Sequence, residues 1–230
     1  MAKILFGAIA TDARGKVAGV VYSKNQFGGY IRQKVSPTQT PTTRRTLVRE
    51  RLSGFAKQFS GDLTAAEVAA WNAFAKNNPV VDVFGRAQFL SGIQAFCRLN
   101  AVIENVGGSP ITDPPASLSV TALTSIAVTA TAGSPDVFSI AFGASPLAAN
   151  VKLQVYATQP LPPGRTFTKP FLRWLAVSAA AQATPYNAAA AYLARFGAMT
   201  SGNKIGVRVN VVDATTGGQT PGLYSLVTIG

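Results

Sequence analysis

Histidine is absent from this chain, Cys97 is its one cysteine, and its nine Asp and Glu residues are scattered. The side chains that usually do acid–base, nucleophilic or metal-ligating work are therefore nearly missing. Cys97 falls on the apolar face of a predicted helix with no histidine to activate it, which makes it a structural thiol rather than a nucleophile. A single cysteine rules out an internal disulfide, and no Walker loop, dinucleotide fingerprint or Gly-x-Ser-x-Gly elbow occurs. No two carboxylates pair at helical spacing as a general acid and base would. The expectation is a protein that is not an enzyme, with no catalytic, cofactor-binding or metal site.

What the chain does carry is positive charge, 21 Lys and Arg against the nine acids, for a net +12. Residues 1–60 hold eleven basic and two acidic residues, 61–115 three and five, and 116–230 seven and two. Charge is thus concentrated in the stretch from Arg14 to Arg51. There Arg14, Lys16, Lys24, Arg32, Lys34, Arg44, Arg45, Arg49 and Arg51 are candidates for contact with an acidic partner or with nucleic acid. Basicity alone licenses non-specific contact, and the arginines from Arg44 to Arg51 have a plainer use. Their stems can cover apolar surface while their heads stay in water. Interleaved with the basic residues, Val17, Val20, Val21, Tyr22, Phe27, Tyr30 and Ile31 form a candidate assembly arm.

The elements that must position these side chains can be read from pattern. Lys16–Tyr22 is β-branched and aromatic and reads as one strand. Tyr30–Val35 alternates as a second, with the glycine pair Gly28-Gly29 in the longer hairpin loop between them. A lone hairpin is marginal in water, so these strands need another sheet, domain or subunit. Ser36-Pro37 and Thr40-Pro41 then force extended backbone. From Thr43 a helical stripe of Leu47, Val48, Leu52, Phe55, Ala56 and Phe59 begins.

Thr64 with Glu67, and Ser91 with Gln94, are capping-box pairs that start two more helices. The first buries Val68, Trp71 and Phe74 or Ala75. The second carries Ile93, Phe96, Cys97, Val102 and Val106, and Gly107-Gly108 stops it. Ser109–Pro115 is a proline-rich linker. Beyond it the period changes to two: 117–122, 126–131, 137–142, 151–157, 172–178, 204–212 and 224–229 read as strands, with a helical insertion over 186–196. Val128, Phe138, Ile140, Leu153, Val155, Val207, Val209 and Val227 are the expected core of this part.

The fold class expected is α+β in several parts. A basic arm with a β-hairpin (1–42), a three-helix unit (43–108) and a linker (109–115) precede an all-β immunoglobulin- or fibronectin-like sandwich (116–230). The opening apolar run is at the bottom of the length range for a secretory signal and its basic flank is a single lysine, so none is expected. No run of about 18 apolar residues occurs that could span a membrane.

Several short motifs carry a resemblance: Gly15-Lys-Val-Ala-Gly-Val-Val, Gly29-Tyr-Ile-Arg, Pro37-x-x-Thr-Pro41-x-Thr, Arg49-x-x-Leu52, Leu63-Thr-x-x-Glu67-x-x-x-Trp71, and Leu90-Ser-Gly92 with Phe96 and Leu99-Asn100. Together they resemble an uncharacterised family of small proteins encoded by tailed bacteriophages and prophages. Thr40 stands where that family usually has asparagine. The resemblance implies a virion structural protein, capsid-associated or in the head–tail connector or tail, assembled in the host cytoplasm. Its implied partners are other virion proteins and copies of itself, with no membrane and no enzymatic residues to carry over. The alternative is a basic DNA-associated protein that packs or protects nucleic acid.

Overall fold

The computed structural model describes residues 2–4, 12–35, 42–82, 84–143, 145 and 147–230, with backbone alone at 2–4 and 44. The chain is α+β, its strands gathered in antiparallel sheets and its helices interspersed with them along the sequence. It forms two compact units, residues 1–51 with 78–90, and residues 52–77 with 91–230.

In the first unit, β1 (Ala2–Ile4), β2 (Gly15–Val17), β3 (Val20–Asn25) and β4 (Gly28–Gln33) make a four-stranded sheet in the order β1-β4-β3-β2. The single strand expected over Lys16–Tyr22 is instead two. The chain reverses at Ala18-Gly19, where Ala18 takes φ +49°, and Val17 pairs with Val20. A β-branched run looks the same whether it is one strand or a folded-back pair, so pattern alone could not place this turn. Likewise the hairpin is not a two-stranded ribbon, because β1 pairs with β4. The proline pairs Ser36-Pro37 and Thr40-Pro41 lie outside the described residues.

Helix α1 (Thr43–Gly61) follows, and the division between the units falls within it. Its expected stripe holds only at the C-terminal end. Phe55 is buried, but Leu47, Val48 and Leu52 are exposed. Two short strands, β5 (Val80–Val81) and β6 (Ala87–Gln88), complete the first unit as a hairpin.

The second unit carries α2 (Ala65–Asn77) and α3 (Gly92–Asn105). Both capping boxes form. The Thr64 N–H and hydroxyl each donate to the Glu67 carboxylate at 2.7 Å, and the Glu67 N–H donates back to Thr64 Oγ1 at 3.3 Å. These bonds, the hydroxyl's first, hold the Glu67 carboxyl below its ordinary range. In α3 the Ser91 N–H donates to Gln94 Oε1 at 3.0 Å.

Trp71 and Phe96 are fully buried and meet edge to face, ring centres 5.3 Å apart, and the rings of Phe55 and Phe59 also pack against Phe96. The buried stripe of α3 is turned from the expected one. Ala95, Phe96, Leu99 and Ile103 are covered, while Val102 and Cys97 are half-buried. Phe74 is also half-buried, and Ala75 is buried. The segment after α3 is stitched down: buried Asn100 accepts from the Ile111 N–H at 2.7 Å and donates to the Ile111 carbonyl at 3.1 Å.

The remaining strands are β7 (Ile126–Thr131), β8 (Val137–Phe142), β9 (Val151–Ala157), β10 (Arg173–Val177), β11 (Tyr186–Asn187), β12 (Lys204–Asp213) and β13 (Leu223–Thr228), with α4 (Ala189–Phe196) inserted. They form two antiparallel sheets, β10-β9-β12-β13 and β11-β8-β7. Residues 117–122, expected as a strand, are not one; the Ser117 hydroxyl takes the Ser119 N–H at 3.1 Å instead of leaving it for a ladder.

One apolar core lies between the sheets. Phe138, Ile140, Leu153, Val155, Val207 and Val209 are buried there as expected, while Val128 and Val227 pack at its margin. Each fully buried side chain of this size contributes about 1.5–3 kcal/mol. Tyr192 of α4 lies against Phe138 and donates its hydroxyl to the Thr158 carbonyl at 3.0 Å, and burial pushes its phenol pKa up.

Candidate functional site

The register of the N-terminal sheet sorts its side chains onto two faces, because directly paired residues share a face and neighbours along a strand do not. Lys16 pairs with Val21 and Val21 with Arg32, so a cation, a valine and a cation form one row across β2, β3 and β4. Tyr30, two residues before Arg32, is on the same face. The opposite face takes Val17, Val20, Tyr22 and Ile31, with Lys24 at its end. The basic and apolar residues that sequence pattern singled out are therefore separated, one set largely to each face.

Their exposure differs. Val21 is buried and Val20, Tyr22, Phe27, Tyr30 and Ile31 are half-buried, but Val17 is 66% exposed and Val35, beyond the end of β4, is 65% exposed. Lys16, Lys24, Arg32 and Lys34 are exposed and make no ion pair with another described residue. Arg14 pairs with Asp12 at 3.0 Å in open solvent, worth little there. Arg45 and Arg49 are exposed and Arg51 is half-buried; the Arg44 side chain lies outside the described residues. With eleven basic and three acidic residues, the unit presents a positive field to any partner.

Beside the turn of the β3–β4 hairpin lies an open pocket of about 380 Å³. Its floor comes from Gln26–Gly29 and its walls from the β5–β6 hairpin, including Phe84, Arg86 and Phe89. Asp82 builds that hairpin: its Oδ1 accepts the N–H groups of Phe84 at 2.8 Å and Arg86 at 3.0 Å. Gln88 then joins the two turns, donating to Asp82 Oδ2 at 3.1 Å and to the Phe27 carbonyl at 3.3 Å. Phe84 and Phe89 remain exposed. Sequence reading missed this segment altogether, although Asp82-x-x-Gly85 between two apolar runs is a turn signal.

Among the described residues that line the pocket, Asp82 is the one carboxylate. Both carboxyl oxygens of Asp82 are used in holding turns, and Cys97, whose thiol burial pushes up in pKa, belongs to the other unit. The arrangement offers exposed cations and exposed apolar rings for binding. No family model matches this chain, and no curated protein or solved structure is found to be similar to it.

Proposed function

We propose that this chain is a structural assembly subunit of a bacteriophage virion, docking on neighbouring subunits through its N-terminal unit. One observation carries the assembly part of the reading. Among the described residues of that unit Val21 is the only buried apolar side chain, while Val17, Val35, Leu47, Val48, Val81, Phe84 and Phe89 are exposed. A sheet with so little core of its own does not order itself cheaply in water. A neighbour that covers the apolar face and adds a strand at the β2 edge supplies what is missing. The unit's positive charge selects for a neighbour whose facing surface is acidic. The virion assignment rests on the motif resemblance.

Mass spectrometry of purified particles tests the assignment, since a virion protein must be found in them. Removing residues 1–41 tests the mode of docking. The shortened chain should stay folded by circular dichroism and fail to enter particles; normal incorporation would sink the role given to the arm.

The row of Lys16 and Arg32 favours one second reading, a DNA-associated protein. Phosphate contacts release counterions, so duplex affinity should fall steeply, by about 10³ or more for six contacts, between 50 and 200 mM salt. Binding that is flat over that range, or absent, rejects it.

A further inference from the structure

The outer face of the sheet β10-β9-β12-β13 carries a second, separate surface. Trp174 pairs with Tyr156, Tyr156 with Arg208, and Arg208 with Tyr224, so these four side chains form one cross-strand row spanning the whole sheet. Their neighbours along the strands, Leu175, Val155, Val207 and Val209, are core residues, so the row points away from the core. The three aromatics are half-buried and Arg208 is exposed. Strands lie about 4.8 Å apart, which makes the row about 14 Å long.

The cations around it are organised. The Arg208 guanidinium sits 5.4 Å from the Tyr156 ring centre, and its Nε donates to Asn210 Oδ1 at 3.0 Å. Lys169 Nζ lies 5.8 Å from the Tyr224 ring centre. The loop that delivers Lys169 is anchored by buried Thr168, whose hydroxyl bonds the Tyr224 hydroxyl. In the same loop Arg165 lies 4.6 Å from the Phe171 ring centre, and Phe167 is 69% exposed. Residues 116–230 contain only two acids, and both are committed elsewhere. Asp136 accepts the N–H groups of Gly133 and Met199, and Asp213 those of Thr215 and Thr216.

We infer that this face binds single-stranded nucleic acid, its bases stacking along Trp174, Tyr156 and Tyr224 and its phosphates meeting Arg208, Lys169 and Arg165. Charge complementarity selects the ligand. The surface offers guanidinium and ammonium donors with no carboxylate of its stretch to accept from sugar hydroxyls, which suits acceptor-only phosphates better than a neutral glycan. Among nucleic acids, these rings can stack on the unpaired bases of a single strand, whose faces a duplex does not present.

The chain's two tryptophans make the test specific. Trp71 is fully buried and Trp174 is half-buried, so a ligand on the row should quench Trp174. Titrating the full chain with a thymidine oligonucleotide should quench emission, and Trp174→Phe should abolish the change. The single strand should bind more tightly than a duplex of equal length, and the pair Lys169→Ala with Arg208→Ala should weaken it about tenfold. Phe167→Ala with Lys169→Ala alters exposed side chains only and should weaken it in the same direction with the fold intact. Equal affinity for single strand, duplex and heparin without quenching would overturn the inference, leaving attraction to the N-terminal cations. Quenching by a polysaccharide and not by the oligonucleotide would overturn it in favour of a carbohydrate face.

Discussion

Replacing Trp71 with alanine is expected to remove about 3–5 kcal/mol of folding stability, a large share of what a domain possesses. The indole is fully buried, stands perpendicular to Phe96 at 5.3 Å, and meets Phe74 edge-on at 5.6 Å. Each such aromatic pair adds about 0.5–1.5 kcal/mol beyond burial. The indole N–H also donates to the Thr112 carbonyl at 2.6 Å, so truncation leaves a polar group without its partner in the segment that follows α3. Trp71→Phe should cost less, since it keeps most of the apolar contact and loses the hydrogen bond. Urea denaturation of the three proteins gives the ordering. A cost below about 1 kcal/mol for the alanine variant would mean that Trp71 is not the hub of the helical core.

That hub was legible in the sequence because its signals are local. Thr64 and Glu67 fix where α2 starts, and Trp71 then falls on the inner face by helical period alone. The same holds for β7, β8 and β9, whose alternation is uninterrupted and whose bounds agree with the expected runs residue for residue. Expectation failed where a partner remote in sequence decides. Residues 117–122 alternate without having a ladder to join, and Leu47, Val48 and Leu52 keep helical spacing without being covered. In α3 the covered face is set by what packs on it, and so Ile103 is buried where Val102 was expected.

The functional surfaces divide in the same way. The basic stretch from Arg14 to Arg51 is visible in any count of charge, but the row of Lys16, Val21 and Arg32 on one face of the sheet, with Lys24 on the other, appears only with register. The pocket depends on Gln88 reaching the carbonyl of Phe27, a contact between segments far apart in the chain. The aromatic row is the extreme case. Tyr156, Trp174, Arg208 and Tyr224 have no sequence relation to one another, and each looks like an ordinary strand residue until β9, β10, β12 and β13 are aligned.

The joint between α3 and the turn after β12 yields the second large effect. Gly217 has φ +71°, and a Cβ there would lie 2.9 Å from the Leu99 carbonyl oxygen and 3.3 Å from the Ile103 side chain. The turn cannot easily move aside. Asp213 Oδ1 holds it from within, accepting from the Thr215 N–H at 2.7 Å and the Thr215 hydroxyl at 2.6 Å, while the Gly217 N–H donates to the Asp213 carbonyl at 3.0 Å. Gly202 supplies the control, since it has φ +83° with open space where its Cβ would go. Alanine at Gly202 should therefore cost only the left-handed strain, about 1–2 kcal/mol. Alanine at Gly217 should cost that plus the overpacking of a helix backbone, about 1–3 kcal/mol more. Chemical denaturation of both variants measures the difference. Equal costs would show that α3 does not rest on this turn, and that the helices and the sheets of the second unit are less closely joined than the geometry places them.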